Sequence, residues 1–244
     1  MATNPMHQFE VYRIGPEINL GTVNLSFTNA SLFMTISALT ILLFLFLGTK
    51  KKLLIPSKMQ LIVETSYMFI AKMINDTAGS SAKAFFPFIF TLFMFVLFCN
   101  MIGMIPYSFT VTSHIIVTFM LAMIVFIGVT VIGFIKHGAK YLELFVPKGV
   151  PIALLPLIVI IEIISYLSRP VSLSVRLFAN MMAGHTMLKV FGGFVISLGL
   201  LGGWLPLSFS VALTGLEILI AFLQAYVFAI LTCIYLNDAL NLHH

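Results

Sequence analysis

Charge is scarce in this sequence. Of 244 residues only 9% are Asp, Glu, Lys or Arg, where a soluble domain carries about a quarter, and that shortage excludes an ordinary globular protein. Cysteine is nearly missing too. The two that occur, Cys99 and Cys233, lie inside apolar runs where a free thiol behaves as a small hydrophobe, and two are too few for a disulfide scaffold. No G-x-x-x-x-G-K-[ST] loop is present, so ATP is not expected to be handled on this chain. The first 29 residues have no Arg-rich amphipathic pattern of a transit peptide, and no inverted repeat of the secondary-transporter kind is visible. What the sequence does hold is apolar: 60% of residues, with a mean hydropathy of +1.11. A helical crossing of a hydrocarbon core about 30 Å thick uses ~20 residues. The chain therefore has room for five or six crossings and no separate soluble domain.

The runs divide the chain into a single polytopic domain, 1–244, beginning with a polar outer tail over 1–29. Membrane helices are expected at 30–48, 84–106, 113–135, 150–201 and 206–236. Between the first two, residues 56–79 place Met59, Ile62, Val63, Met68, Ile70 and Met73 among Lys58, Glu64, Lys72 and Asp76, which suits an interfacial amphipathic helix. The short turn from Tyr107 to Thr112 predicts an antiparallel helical hairpin between the second and third spans. At 1.5 Å per residue the fourth run would be ~75 Å long, so it must be strongly tilted or broken near Arg169 and Pro170.

The net charge of +5 and pI of 9.3 are those of many nucleic-acid binders, but the placement of the lysines speaks for a membrane and against nucleic acid. Lys50, Lys51, Lys52, Lys58, Lys72, Lys83, Lys136, Lys140 and Lys148 all fall on one side of the implied topology, against Arg13 on the other. By the positive-inside rule that side is cytoplasmic or matrix. The tail then starts outside and the C-terminus ends inside.

Ionisable groups at membrane depth are costly, by about 2.5–3.5 kcal/mol on insertion scales, and point to a pathway or an ion partner. Glu162, Arg169 and Arg176 recur at seven-residue spacing on one helical stripe, continued by Asn180, while His185 and Lys189 share another face. On the last helix Glu217, Gln224 and Asp238 form a second stripe. The topology orders these by depth: Glu162 innermost, Arg176 at the middle, His185 and Glu217 in the outer half. Glutamate and histidine exchange protons near neutral pH in suitable surroundings, whereas arginine does not. The order resembles two proton half-paths separated by a barrier, and the nearest acid on the helix of Arg176 is ~21 Å away along the axis. Simpler readings exist beside this one. Glu162 and His185 can serve as helix-packing hydrogen bonders, Asn180 and Gln224 can organise water or packing, and a transporter acting alone or a haem-bearing subunit are rival classes.

The segment Ser174-Val-Arg176-Leu-Phe-Ala-Asn180-Met-Met-Ala-Gly-His185, with Leu216-Glu217-Ile-Leu-Ile-Ala-Phe-Leu-Gln224-Ala-Tyr-Val-Phe, Tyr235-Leu-Asn-Asp238 and Pro106-Tyr107-Ser108-Phe109-Thr110 before Ser113-His114, resembles the a subunits of rotary F-type ATP synthases over nearly the whole chain. The resemblance implies an all-α membrane protein with about five transmembrane helices and an interfacial amphipathic helix, the last two spans long and strongly tilted. It implies a stator that is not itself an enzyme, working against a proteolipid c ring and held by peripheral stalk b subunits. Arg176 matches the essential arginine facing the ring; Asn180, His185, Glu217 and Gln224 match the outer proton path and the ring contact, and Glu162 matches an acid of the inner path. No cofactor or metal is implied, and the coupling ion is expected to be the proton. A bacterial plasma membrane is expected over a mitochondrial inner membrane.

Overall fold

The structure, a computed structural model, describes residues 9–15, 19–20, 23–24, 26–50, 56–105, 108–146 and 154–241. Apart from one small hairpin and short connecting segments the described chain is helical. That hairpin pairs β1, Asn19–Leu20, with β2, Val23–Asn24, and an isolated bridge joins Arg13 to Thr28. Much of the tail expected over 1–29 lies outside the described residues, as do Lys51, Lys52, Pro106, Tyr107, Lys148 and the start of the run expected at 150.

Six helices follow. The first, α1 (Asn29–Thr49), starts at Thr28, whose hydroxyl accepts from the Ser31 amide, and α2 (Lys58–Ala78) starts in the same way at Ser57. A 3-10 turn over Ser80–Phe85 leads into α3 (Phe86–Gly103), with Pro87 in the first turn where its missing N–H is harmless. Then come α4 (Ile115–His137), a 3-10 stretch over Gly138–Phe145, α5 (Leu155–Gly202) and α6 (Trp204–Leu240). Five of the six, all but α2, are long and apolar enough to cross a membrane. This is an all-α membrane protein.

In α2 the apolar residues divide. Val63, Ile70 and Met73 are buried against the bundle, whereas Met59, Ile62 and Met68 are exposed beside Lys58, Glu64, Lys72 and Asp76. The helix thus has two apolar surfaces, one packed on protein and one left open.

The core forms around α6. Ala221, Ala225, Ala229 and Cys233 recur every four residues and are fully buried, so the backbone of α6 comes close to its neighbours, chiefly α5 and α3. Facing it are Phe93, Met94 and Val96 from α3 and Leu173, Leu177 and Met181 from α5. The expected hairpin of the second and third spans needs correction: α3 packs chiefly on α6 and α4 chiefly on α5, rather than on one another. For α3, the small-residue stripe of α6 offers a closer fit than the bulky, Ile-rich α4.

The long fourth span is continuous through Pro170, so the break considered near Arg169 is absent. Its one non-helical residue is Gly199, at φ 61° and ψ −159°. Forty-five residues of this helix qualify as one apolar span. At 1.5 Å per residue that is ~67 Å, about twice the hydrocarbon core, so a straight crossing along the membrane normal is impossible.

Candidate functional site

The two long helices run antiparallel, and their polar residues meet in matching order: Arg169, Asn180 and His185 on α5 oppose Asp238, Gln224 and Glu217 on α6. Arg169 Nη1 lies 3.0 Å from Asp238 Oδ2. Asn180 Nδ2 donates to Gln224 Oε1 at 2.8 Å. His185 Nδ1 is 3.3 Å from Glu217 Oε1. The stripe of α6 thus meets one residue of the Glu162–Arg169–Arg176 stripe, its continuation at Asn180, and His185 from the other polar face.

The His185–Glu217 contact is the most enclosed. Glu217 is 3% exposed and His185 9%. The imidazole is fixed from its other side by the connection between α3 and α4, where Thr110 Oγ1 lies 3.0 Å from Nε2. Thr110 has one hydroxyl proton, and it donates that proton to the Gly103 carbonyl at 3.2 Å. The oxygen is then left to accept from His185 Nε2–H, so Nδ1 faces Glu217 either as a bare lone pair or as a second N–H. A carboxylate and a lone pair would repel at 3.3 Å. At 3.3 Å but without hydrogen-bond geometry, the two groups attract as an ion pair when the ring carries a second proton.

Gly184 makes the approach possible. A Cβ at this position would lie 2.7 Å from Glu217 Oε1, closer than side chains pack. Neither Gly184 nor Thr110 was assigned a role from sequence, although both stand in the motifs quoted above. The signal for Gly184 is a residue without a side chain directly before a membrane-depth histidine; for Thr110, a hydroxyl in the turn closing that end of the bundle.

Around this pair several buried polar atoms have no hydrogen-bonding partner in the protein: both Glu217 oxygens, Gln224 Nε2, Asn100 Oδ1, Thr112 Oγ1 and His114 Nε2. Asn100 reaches α6 through its amide, which donates to the Ala221 carbonyl at 3.2 Å. Buried polar atoms are rarely left unsatisfied, and water is the usual partner where protein supplies none.

Arg176 is placed differently. It is exposed, and among the described residues no acid or hydrogen-bond acceptor engages it. The reason is visible opposite it: between Gln224 and Asp238, α6 carries no acidic residue. Glu162 is half-buried, lies apart from these pairs and engages no partner among the described residues. Of the six residues singled out from sequence, the structure joins His185 with Glu217 and Asn180 with Gln224, and leaves Arg176 and Glu162 separate. Arg169 is held by Asp238 of its own chain. No group of three or more His, Cys, Asp or Glu among the described residues is arranged to hold a metal ion.

A family model described as ATP synthase A chain matches residues 31–237. The chain is 80% identical to ATP synthase subunit a of Pelagibacter ubique (strain HTCC1062) over 244 residues, the whole of both chains. It is 59% identical to ATP synthase subunit a of Chelativorans sp. (strain BNC1) over 250 residues, again end to end. The same protein of Parvibaculum lavamentivorans is 59% identical over 247 residues, covering 99% of this chain and 95% of that one. With five membrane-length helices and relatives of one name matched along their full length, the chain belongs to the ATP synthase A chain family.

Proposed function

We propose that this chain is the membrane stator of a proton-driven rotary motor, with two offset half-paths for protons and Arg176 between them. Family membership makes it a membrane component of the ATP synthase that works with other subunits in ATP synthesis and ion transport and is not the catalytic subunit. The finer assignment rests on one observation: α5 and α6 pair polar groups on either side of Arg176 and leave that guanidinium exposed without an acid.

The steps follow from the chemistry of these groups. A proton from the outer side reaches His185 and Glu217, two adjacent groups whose side chains both take up and release protons. The unsatisfied atoms of Asn100, Thr112, His114 and Gln224 favour a thread of water leading to and from that pair. The next acceptor is a carboxylate on a proteolipid c ring turning against the exposed face of α5. Once neutral, that carboxyl can move through lipid, because burying the charged form costs far more than burying the neutral one. After most of a turn it meets the inner path and loses its proton past Glu162. Asn180 and Gln224, tied to each other, set the spacing of α5 and α6 at the level where the carboxylate arrives.

Arg176 acts by charge alone. Its guanidinium attracts an ionised carboxylate and repels a proton moving directly between the two paths, and it stays charged at any physiological pH. Flux then requires rotation. The lysine distribution supports an N-terminal tail outside and a C-terminus inside, and the bacterial relatives support a bacterial plasma membrane, with stalk b subunits as further proposed partners.

The test is Arg176→Ala in the assembled ATP synthase. ATP-driven proton uptake by inverted membrane vesicles should be lost, with the c ring still co-purifying. Full uptake in that variant would overturn the assignment.

A further inference from the structure

Arg169 sits two turns from Arg176 on α5. Seven residues at 100° each return to within about 20° of the same direction, ~10.5 Å along the axis, so both guanidinium groups start from one stripe. Only one of them is free. Arg169 turns toward α6, where Asp238 takes it at 3.0 Å, and its guanidinium lies between two rings, 5.3 Å from the centre of Tyr166 and 4.9 Å from that of Tyr235. Each helix supplies a Tyr and a charge three residues apart, Tyr166 with Arg169 and Tyr235 with Asp238, so the two halves interlock across the α5–α6 contact. Tyr166 is held in turn by Thr130 Oγ1 at 2.6 Å and Tyr141 Oη at 3.1 Å, which anchors the cluster to α4 and to the stretch after it.

We infer that Asp238 masks Arg169, so that Arg176 is the one unpaired cation this stripe presents to a moving carboxylate. The inference builds on the motor reading above and adds a residue to which that reading gives no role. A cation at membrane depth draws any carboxylate that passes. Two free guanidinium groups ~10.5 Å apart on one stripe would offer the ring carboxylate two stopping places, the second displaced toward the inner side. Engagement of Arg169 by Asp238, with a tyrosine ring on each flank, removes the second. The cluster is then a positioning device, acting on the reaction through what it withholds from the carboxylate.

A purely structural clasp predicts something else, and pumping per assembled complex separates the two. In a clasp, the harm in Asp238→Asn falls on the stability or yield of the complex, and pumping at equal amounts of assembled complex stays that of the parent. With masking, the harm in Asp238→Asn comes from the freed arginine, so removing that arginine repairs it. In assembled ATP synthase, Asp238→Asn should lower ATP-driven proton pumping about fivefold or more, and Arg169→Gln with Asp238→Asn should return it to within about twofold of the parent. Unchanged pumping in Asp238→Asn, or a double variant as slow as the single, would overturn the inference. Should Asp238→Asn fail to assemble, Asp238→Ser takes its place, read by the same pumping rate per assembled complex: slowed pumping supports masking, and unchanged pumping overturns it. Arg176→Ala, measured beside them, keeps the two readings apart, since its loss of pumping combined with a harmless Asp238→Asn would remove only this one.

Discussion

Gly184 and Glu217 touch across the α5–α6 interface, so closely that one added carbon on the glycine would stand 2.7 Å from the carboxyl oxygen. The carboxyl cannot retreat far, because Glu217 is 3% exposed and His185 lies 3.3 Å from the same oxygen. Gly184→Ala should therefore push Glu217 off its histidine or part the helices, at about 1–3 kcal/mol for overpacking. The expected result is assembled enzyme with proton pumping lowered by roughly an order of magnitude, since 1.4 kcal/mol in a barrier is tenfold in rate. Glu217→Asp, one methylene shorter, should recover part of that loss when combined with Gly184→Ala. Pumping rates of the single and double variants check both points.

Thr110 has a separate role, fixing which ring nitrogen of His185 carries its proton. Thr110→Val keeps the shape but takes away the acceptor 3.0 Å from Nε2, and leaves that buried N–H without a partner. An unsatisfied buried donor costs about 1–3 kcal/mol. The imidazole should then turn, and coupled proton transport should fall by about tenfold, while Thr110→Ser, which keeps the hydroxyl, stays close to the parent. Transport rates of the two variants, compared at equal amounts of assembled complex, decide.

The sequence was informative where one helix sufficed and silent where two had to be aligned. Seven-residue spacing placed Glu162, Arg169 and Arg176 on one stripe and Glu217, Gln224 and Asp238 on another, because a helical period fixes direction around a single axis. It gave no register between axes. The partnership of Arg169 with Asp238, across 69 residues of sequence, follows from how α5 and α6 slide past each other, and that is set by the small residues Ala221, Ala225, Ala229 and Cys233 on the packed face. The helix break shows the same limit. Pro170 is the evident breaker, yet the helix runs through it and departs from helical geometry at Gly199, where the chain prepares to reverse into α6. Five membrane spans were legible because hydropathy is additive along the chain; the α3–α4 hairpin misled because closeness in sequence does not decide which face packs best.

Behind Arg169 a run of hydroxyls has one consistent direction. Thr130 donates to the Phe126 carbonyl at 2.7 Å, so its oxygen accepts from Tyr166, and the Tyr166 oxygen accepts from Tyr141. Tyr166→Phe breaks the run in the middle and leaves the Tyr141 hydroxyl, on a side chain 1% exposed, without an acceptor. The expected loss is about 1–3 kcal/mol of stability. Tyr141→Phe removes only the terminal donor and should cost less, about 0.5–1.5 kcal/mol. Thermal denaturation of the purified complex should rank them in that order; the reverse ranking would refute the direction assigned.

Gly199 and Gly128 both stand in long helices with open space where a Cβ would go. They differ in backbone. Gly199 has φ 61° and ψ −159°, a region that side chains with a Cβ enter at a cost of about 1–3 kcal/mol, whereas Gly128 lies within α4, outside the positive-φ set. Gly128→Ala should be neutral or stabilising, by up to about 1 kcal/mol, since alanine loses less freedom than glycine in a helix. Gly199→Ala should destabilise by its backbone term alone, or draw the residue into regular helix and redirect the chain toward α6. Because the Gly203 amide closes on the Gly199 carbonyl at 2.9 Å, such a change passes directly into the start of α6. Melting temperatures of the assembled complex should move in opposite directions for the two substitutions. Equal shifts would mean that the turn at Gly199 places no demand on the residue that forms it.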